Sequence, residues 1–507
     1  MPSKTLSAFV LVAVFNTCQQ SIASLEKPPT CDSLVYCQGE LLHTIQMARL
    51  YDDSKTFVDK SMLNDVNTTL TKFYELMNDT GGDPSKEQLQ TYVDENFTSE
   101  NELDVWIPDD FDDDPSFLSR IKDKDVRKFA KDIVAIWKDL GRKTKKEVRE
   151  NPDQHSLIAV PNGFIVPGGR FQEYYYWDSY WVIDGILVGG MAKTAGDMIN
   201  NFLSLVDRYD HVPNGGRVYY IQRSQPPLLT HMAMKYFEAT QDTLWLKNSI
   251  DLLEKEVNFW LENRMIKIKH KCQNYHVAYY HAVSTGPRPE SYYEDFTTAS
   301  YYETNKEKEK MYIELKSGAE SGWDFSSRWI FDKNGDTNSN LTFTRTSRVA
   351  PIDLNAYLYG AFSNMADFYG HLQNEEKQAY WNQLAHKLND TINKLFWNET
   401  DGIWHDFDIN LSKQRVYFSA ANFVPLWTKA YNLEKHATSK LIRRVVSYLK
   451  REGITNFQGG IPMTVTHTGE QWDFPNAWPC LQSIVVEGLE KSGVPLGQLW
   501  AREFAER

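Results

Sequence analysis

One short stretch, ESGWDFSSRW at residues 320–329, places a carboxylic acid among aromatic rings. Asp324 stands between Trp323 and Phe325, with Trp329 shortly after. A carboxyl group held against apolar rings loses hydration, which disfavours its charged form and raises its pKa. An acid that stays protonated near neutral pH can serve as a catalytic proton donor. The alternative is structural, because an aspartate that precedes a helix can cap the free N–H groups of its first turn. The decapeptide alone leaves both interpretations open.

Two further Trp-Asp pairs, Trp177-Asp178 and Trp472-Asp473, also lie in loops before helical stretches. The loops HVPNGGRVYYIQRSQPP and STGPRPES fall between these pairs and mix Arg, Asn, Gln and acids with rings and glycines. Guanidinium and amide groups can donate paired hydrogen bonds to vicinal hydroxyls, while indole faces can cover the C–H side of a sugar ring. The loops therefore predict a neutral polyhydroxyl ligand.

Hydrolysis of a glycoside requires two carboxyl groups, one to protonate the leaving oxygen and one to activate water or attack carbon. The apolar neighbours of Asp324 make it the first candidate for the proton donor. Its partner stays open among the other loop acids, which are Glu173, Asp178, Glu290, Glu320, Glu470 and Asp473.

The composition and motifs argue against several other functions. A formal charge of −13 disfavours polyanionic partners, so we expect neither nucleic acid nor an anionic membrane surface as a partner. The chain contains no HExxH, paired CxxC, GxxxxGK[ST] or GxSxG motif. We therefore predict that the protein uses no metal, nucleotide or other cofactor.

The first 23 residues have the three zones of a secretory signal: Lys4, an apolar run over residues 6–15, and small residues at Ser21 and Ala23. We expect the mature chain to start near Ser24 and to be secreted. No later segment has the roughly 18 uninterrupted apolar residues of a membrane span, so no integral membrane segment is predicted.

The cysteines and sequons agree with export. Cys31 and Cys37 predict a short disulfide loop, and a bridge between Cys272 and Cys480 is a guess from the even number left after signal removal. We expect a glycosylated surface because Asn-x-Ser/Thr acceptors occur at Asn67, Asn78, Asn96, Asn340, Asn389, Asn398 and Asn410.

Residues 40–145 read as helices separated by acidic turns, and long amphipathic stretches follow from Ser179 onward. Strand-like alternation is scarce. Many helices without a fixed sequence repeat favour an all-α bundle or a barrel of helical hairpins, in which loops at one end converge on a cleft.

Two stretches carry a resemblance to a known family. PGGRFQEYYYWDSYW from Pro167 and QWDFPNAWP from Gln471 resemble the two signatures of the trehalases, which hydrolyse α,α-trehalose to two glucose molecules. Family-like sequence runs from about Cys31 to the C-terminus, and the chain looks most similar to a secreted trehalase of the insect type.

The resemblance implies an (α/α)6 barrel, a single catalytic domain over residues 24–507 and an inverting mechanism without a metal. By the same resemblance, Asp324 matches the general acid of the family. The matching sugar contacts are Arg170, Trp177, Asp178, Asn214, Arg223, Ser224, Gln225, Arg288, Glu290 and Gly322.

One departure concerns the catalytic base, which in the family is a Glu in a GGGGEY stretch after the second signature. The sequence ends at Arg507 without such a stretch. We therefore expect a barrel that is incomplete at its C-terminal end, without its last helices, and a site without the usual base. Glu290, Glu470 or Asp473 could substitute as base. The alternative to an enzyme is a catalytically defective, sugar-binding protein or a truncated isoform.

Overall fold

The computed structural model describes residues 27–332, 340–431 and 435–507. The predicted signal segment, residues 1–23, lies outside this described part. Within it, eighteen α-helices dominate the architecture. They are α1 Glu40–Met47, α2 Lys55–Val58, α3 Val66–Asp79, α4 Lys86–Asn96, α5 Lys124–Leu140, α6 Lys146–Glu150, α7 Asp178–Val188, α8 Ala192–Tyr209, α9 Leu229–Thr240, α10 Thr243–Asn263, α11 Tyr292–Ala299, α12 Asn305–Glu320, α13 Ile352–His371, α14 Glu375–Thr391, α15 Val424–Thr428, α16 Lys435–Arg451, α17 Pro479–Glu490 and α18 Pro495–Ala505.

The strands of the described residues are short and form small antiparallel sheets. They are β1 Ser61–Met62, β2 Phe97–Thr98, β3 Leu103–Val105, β4 Gly141–Thr144, β5 Phe164–Ile165, β6 Met265–His270, β7 Gln273–Ala278, β8 Val349–Ala350, β9 Trp397–Asn398, β10 Ile403–Trp404, β11 Phe407–Asp408 and β12 Lys413–Gln414. Only the β6–β7 hairpin, with Met265 opposite Ala278, has six residues in each strand.

The helices from α7 onward form two layers, consistent with the predicted (α/α)6 barrel. Helices α7, α9, α13, α15 and α17 pack beside one another in that order, while α8, α10, α14 and α18 pack against their preceding neighbours. A hydrogen bond of 2.7 Å from Trp181 Nε1 to Ser483 Oγ joins α7 to α17. Helix α13 is buried almost all round, as a helix within a barrel must be. The prediction of an all-α fold is confirmed.

The N-terminal helices form a separate apolar cluster that packs against the barrel loops. Its members include Phe57 and Phe97 from this region, together with Tyr175, Tyr219 and Tyr220 from the loops around α7 and α9. A buried ion pair between Lys55 and Glu173, 2.7 Å apart, adds a polar connection. These helices therefore brace the loops in which the polar motifs lie.

The predicted disulfide loop is present, because Cys31 and Cys37 are bonded. The guessed bridge between Cys272 and Cys480 is wrong: both thiols are free, Cys272 exposed in the β6–β7 turn and Cys480 half-buried in α17. The hairpin turn and a helix in the last part of the barrel do not bring these two side chains together.

Candidate active site

The polar motifs lie in the loops that precede successive helices. Residues 167–177 lead into α7, residues 212–228 into α9, residues 284–291 into α11, and residues 464–478 into α17. The acid stretch follows α12, which begins at a capping box between Thr304 and Glu307 and ends at Glu320. Because α7, α9 and α17 are neighbours in the barrel, the loops before them meet at one end of it.

Asp324 does not cap a helix. The chain from Asp324 to Ser326 is non-helical, and Ser326 is the residue that caps the short 3-10 turn of Ser327–Trp329. The side chain is 36% exposed, and its Oδ2 is 3.8 Å from Arg288 Nη1. Burial among surrounding protein atoms raises the pKa of Asp324 to about 6, although Arg288 and Arg223 oppose the rise.

Asp178 is the second acid with a raised pKa. It is the first residue of α7 and is partly exposed. Burial raises its pKa to about 6, and the negative charge of Asp324 adds to the rise. The charge of Asp324 therefore acts on Asp178, and both carboxyl groups can carry a proton in mildly acidic solution.

Arg288 is oriented by an acid that no sequence motif indicated. Asp295, in α11, accepts hydrogen bonds from Arg288 Nε at 2.9 Å and Nη2 at 2.7 Å, and also from the Arg288 backbone N–H. All of these groups are buried. A bidentate pair of this kind holds a guanidinium in one plane, so Arg288 Nη1 is left facing Asp324.

A second buried arginine joins two more of the predicted sugar contacts. Arg223 donates from Nη2 to Glu290 Oε1 at 2.6 Å and from Nε to Asn214 Oδ1 at 2.8 Å. Although burial would raise the pKa of Glu290, Arg223 and Arg288 hold it below the usual value. The second oxygen of Glu290 has no hydrogen-bond partner within the described chain, so an ionised acceptor is available for a hydroxyl group.

Indole rings cover one side of the site. Trp472 stacks on Trp323 with centroids 5.5 Å apart and on Trp478 at 4.6 Å, and its ring is tilted against Trp177 at 5.7 Å. Gly322 makes this packing possible: a Cβ atom there would lie 2.8 Å from the Trp177 ring, and its φ of +75° favours glycine. Gly322 thus shapes the site by its missing side chain.

Two residues of the RSQ triplet hold the loop in place. Ser224 donates its hydroxyl to Val212 O at 2.7 Å, and its backbone N–H donates to Glu320 at 3.1 Å. Gln225 Oε1 accepts from the Trp177 backbone N–H at 3.1 Å. These contacts tie the loop before α9 to the loop before α7 and to the end of α12.

Arg170 is more exposed than the other two arginines among the predicted contacts. It is 46% exposed and pairs with Asp53, to which it donates from Nε at 2.5 Å and from Nη2 at 2.8 Å. Its guanidinium also lies near the Phe171 ring, 5.4 Å from the centroid. Arg170 is therefore held by an acid from the loop between α1 and α2.

Three of the candidate acids have structural partners. Glu320 is fully buried and binds Arg264 through both oxygens, at 2.9 and 2.7 Å. Glu173 is fully buried against Lys55. Asp473, also fully buried, accepts hydrogen bonds from serine and threonine side chains. The sequence indicates these residues by type and loop, but each carboxyl group already has a partner within the protein.

The described residues show neither a metal-binding group nor a membrane-spanning helix. No group of three or more His, Cys, Asp or Glu side chains in this part is arranged to hold a metal ion. None of the helices in the described ranges is both long enough and apolar enough to cross a bilayer.

Comparisons with known proteins agree on one family. The family model described as trehalase matches residues 49–507. The trehalase of Tenebrio molitor is 46% identical over 98% of this chain and 89% of its own length. The Homo sapiens trehalase is 42% identical over 94% of this chain and 81% of its own. Among solved structures, neutral trehalase from Saccharomyces cerevisiae shares the fold, with a TM-score of 0.53, 23% identity and coverage of 65% of this chain and 64% of that chain.

Proposed function

The chain belongs to the trehalase family, and we propose from this premise that it hydrolyses α,α-trehalose to two glucose molecules with inversion of configuration. The observation that carries the proposal is the carboxyl group of Asp324, which faces Arg288 in the cleft and has a pKa raised to about 6 by burial. Such a group can be protonated when substrate binds and can lose its proton as the leaving oxygen gains charge.

The proposed reaction is a direct displacement. The oxygen of a water molecule forms a bond to the anomeric carbon while the bond from that carbon to the bridging oxygen breaks. Asp324 gives its proton to the bridging oxygen, which leaves as the hydroxyl of the second glucose. A base accepts the proton of the attacking water.

The buried polar groups of the cleft fit the recognition of glucose hydroxyls. Glu290 offers an acceptor, Arg223 and Arg288 offer donors, and each is fixed by a partner before substrate arrives. Donors and acceptors that are already ordered reduce the entropic cost of binding.

We propose Glu290, Glu470 and Asp473 as the acids of the described loops that could serve as the base. An inverting enzyme holds its two carboxyl groups roughly 6.5–9.5 Å apart. Of these three acids, Glu290 is paired with Arg223 and Asp473 is surrounded by hydroxyl donors. Glu470 is the remaining candidate: it is half-buried, and burial and the nearby Asp473 raise its pKa.

The engagement of Glu290 and Asp473 also favours a second candidate function, a protein that binds trehalose without hydrolysing it. Loss of one acid–base partner typically costs about 10²–10⁴-fold in rate. Measurement of glucose release and of calorimetric trehalose binding by the same preparation separates the two functions. Binding with no glucose release above that of a protein-free blank would select the second.

The central experiment is Asp324→Asn. We expect trehalose binding to persist and glucose release to fall by about 10²–10⁴-fold. Hydrolysis of α-glucosyl fluoride should fall much less, because fluoride leaves without a proton. Asp367→Asn, an exposed position on α13, is the matched control and should change neither rate. Equal losses on both substrates would reject Asp324 as the proton donor.

We also propose that the protein is secreted. The apolar run and small residues within positions 1–23, together with the Cys31–Cys37 disulfide, support this localisation. Expression in insect cells with the native N-terminus should deliver the chain to the medium, starting near Ser24. Retention of an uncleaved chain in the cytosol would contradict the proposal.

A further inference from the structure

We propose that Asp473 is a positioning residue for the proton donor, because its carboxylate fixes the loop that carries Asp324 to the loop that carries Trp472. The proposal rests on the assignment of Asp324 as the acid in the proposed function. It assigns Asp473 no contact with substrate and no proton transfer of its own.

The carboxylate of Asp473 is completely enclosed by donors from two loops. On one side it accepts from Ser326 Oγ at 2.8 Å, Ser327 N at 2.7 Å and Ser327 Oγ at 2.8 Å. On the other it accepts from Thr464 Oγ1 at 2.8 Å and Thr468 Oγ1 at 2.5 Å. The side chain has no solvent exposure, and no Lys, Arg or His of the described chain forms an ion pair with it.

Further bonds join the same two loops around Asp324 itself. The Gln471 side chain donates to the backbone carbonyl of Asp324, and the Trp472 backbone N–H donates to Phe325 O at 3.1 Å. Each residue from Asp324 to Ser327 is therefore hydrogen-bonded to one of residues 471–473. The same ties set the Trp472 ring against Trp323.

The five donors explain why this position requires a carboxylate. An ionised carboxylate has about four acceptor sites on two oxygens, whereas an amide has one acceptor oxygen and a nitrogen that only donates. Oδ1 accepts from the hydroxyls of Ser326, Ser327 and Thr464, and Oδ2 accepts from the Ser327 N–H and the Thr468 hydroxyl. In Asp473→Asn, the amide nitrogen would replace one of these oxygens, so donors from both loops would lose an acceptor, and a buried group left unpaired is costly.

Loosening the acid loop should change the proton donor in two measurable ways. A carboxyl group displaced by about 1 Å can lose about 10²-fold in rate. Water that enters between the loops would also restore hydration to Asp324, so its pKa should fall from about 6 toward 3.8. The charged groups that face Asp324, namely Arg288, Arg223, Glu290 and Asp178, are unchanged in the variant.

The first experiment measures kinetics of Asp473→Asn in the full chain. We expect kcat for trehalose to fall by about 10²-fold, KM to change by less than about threefold, and α-glucosyl fluoride hydrolysis to fall much less. Asp408→Asn is the matched control: Asp408 is equally buried, but it pairs with Arg348 through bonds of 3.0 and 2.7 Å. The control should leave the ratio of the hydrolysis rates for trehalose and α-glucosyl fluoride unchanged.

The second experiment does not require turnover. The Asp324 carboxyl is titrated by 13C NMR of aspartate-labelled protein, with Asp324→Asn used to assign its resonance. We expect a lower pKa in Asp473→Asn and an unchanged pKa in Asp408→Asn. If the wild-type chain releases no glucose, the proposed function fails while this titration still decides the role of Asp473. An Asp324 pKa that is the same in Asp473→Asn and wild type overturns the positioning role.

Discussion

The guanidinium of Arg288 lies beside the carboxylate of Asp324, with Nη1 3.8 Å from Oδ2. Burial raises the pKa of Asp324, and the positive charge of Arg288 is the strongest influence that limits this rise. Because Asp295 fixes the other two guanidinium nitrogens, the distance between charge and acid is set by the fold before any ligand enters.

Removal of the Arg288 charge should therefore raise the pKa of Asp324 above about 6. A general acid works while protonated, so its activity is lost as pH rises through its pKa. In Arg288→Gln, we expect the high-pH limb of the kcat/KM profile to move upward by about one unit and trehalose binding to weaken. Arg348→Gln, which removes the partner of Asp408, is the control and should not move the limb. A shift to lower pH would contradict the electrostatic role.

Asp178 and Asp324 should reduce the stability of the fold near neutral pH. Burial raises the pKa of each from 3.8 to about 6, so the folded protein binds more protons than the unfolded chain between these values. The free energy of unfolding contributed by each group therefore falls as pH rises through this range. Solvent screening reduces the effect, because Asp324 is 36% exposed. We expect Asp324→Asn and Asp178→Asn each to increase the free energy of unfolding by about 1 kcal/mol at pH 7.5.

Urea unfolding at pH 7.5 and pH 4.5 measures this effect. The gain in the free energy of unfolding should be larger at the higher pH, where the wild-type carboxylates are ionised. Asp113→Asn, at an exposed loop position, should show no pH-dependent gain. Variants that are less stable than wild type at pH 7.5 would disprove the prediction.

Gly322→Ala should damage the site through a steric clash with Trp177. The added Cβ would lie 2.8 Å from the indole, and the backbone φ of +75° adds strain. We expect a loss of about 2–3 kcal/mol in the free energy of unfolding and a weaker affinity for trehalose. Gly453→Ala isolates the backbone effect, because its φ is +73° and the nearest atom would be 3.8 Å away. Equal losses in the two variants would show that the contact with Trp177 is unimportant.

The structure divides the glycan acceptors by accessibility. Asn67, Asn78, Asn340 and Asn410 are exposed. Asn96 is 1% exposed and donates its amide to Tyr92 O at 2.9 Å, Asn389 is 8% exposed in α14, and the Asn398 amide donates to Gln414. If the chain is secreted, mass spectrometry of glycopeptides should find glycans at the four exposed acceptors and none at Asn96 or Asn389. A glycan on Asn96 in folded protein is the contrary result.

Long helices could be predicted closely from the sequence because their apolar residues recur with helical spacing. The stretches TLWLKNSIDLLEKEVNFWLENRM and IDLNAYLYGAFSNMADFYGHL form α10 and α13 almost to the residue. Residues 180–209 show one continuous helical pattern in the sequence. In the structure they divide into α7 and α8 at Gly189 and Gly190, where Gly190 takes a φ of +83°. The β6–β7 hairpin was missed because its strands alternate apolar residues with lysines over only a short length.

The sequence indicated residue types for a site but not the hydrogen bonds among them. Residue types in polar loops pointed to Asp324, Arg288 and Glu290, which the structure brings together. Nothing in the sequence indicated Asp295 as the partner of Arg288, because an acid within a short amphipathic helix resembles any solvated acid. Asp473 was considered as a reacting acid because the sequence shows its carboxyl group in a polar loop. The hydrogen bonds that occupy this carboxyl group are visible only in the structure.

The column of Trp323, Trp472 and Trp478 gives the protein a built-in optical reporter. Its inner rings are buried, while Trp478 is partly open to solvent at the outer end. Because the wavelength of indole emission depends on contact with water, a sugar that displaces water beside this column should shift the intrinsic fluorescence. Ligand entry can thus be followed by light, without a label and without waiting for product.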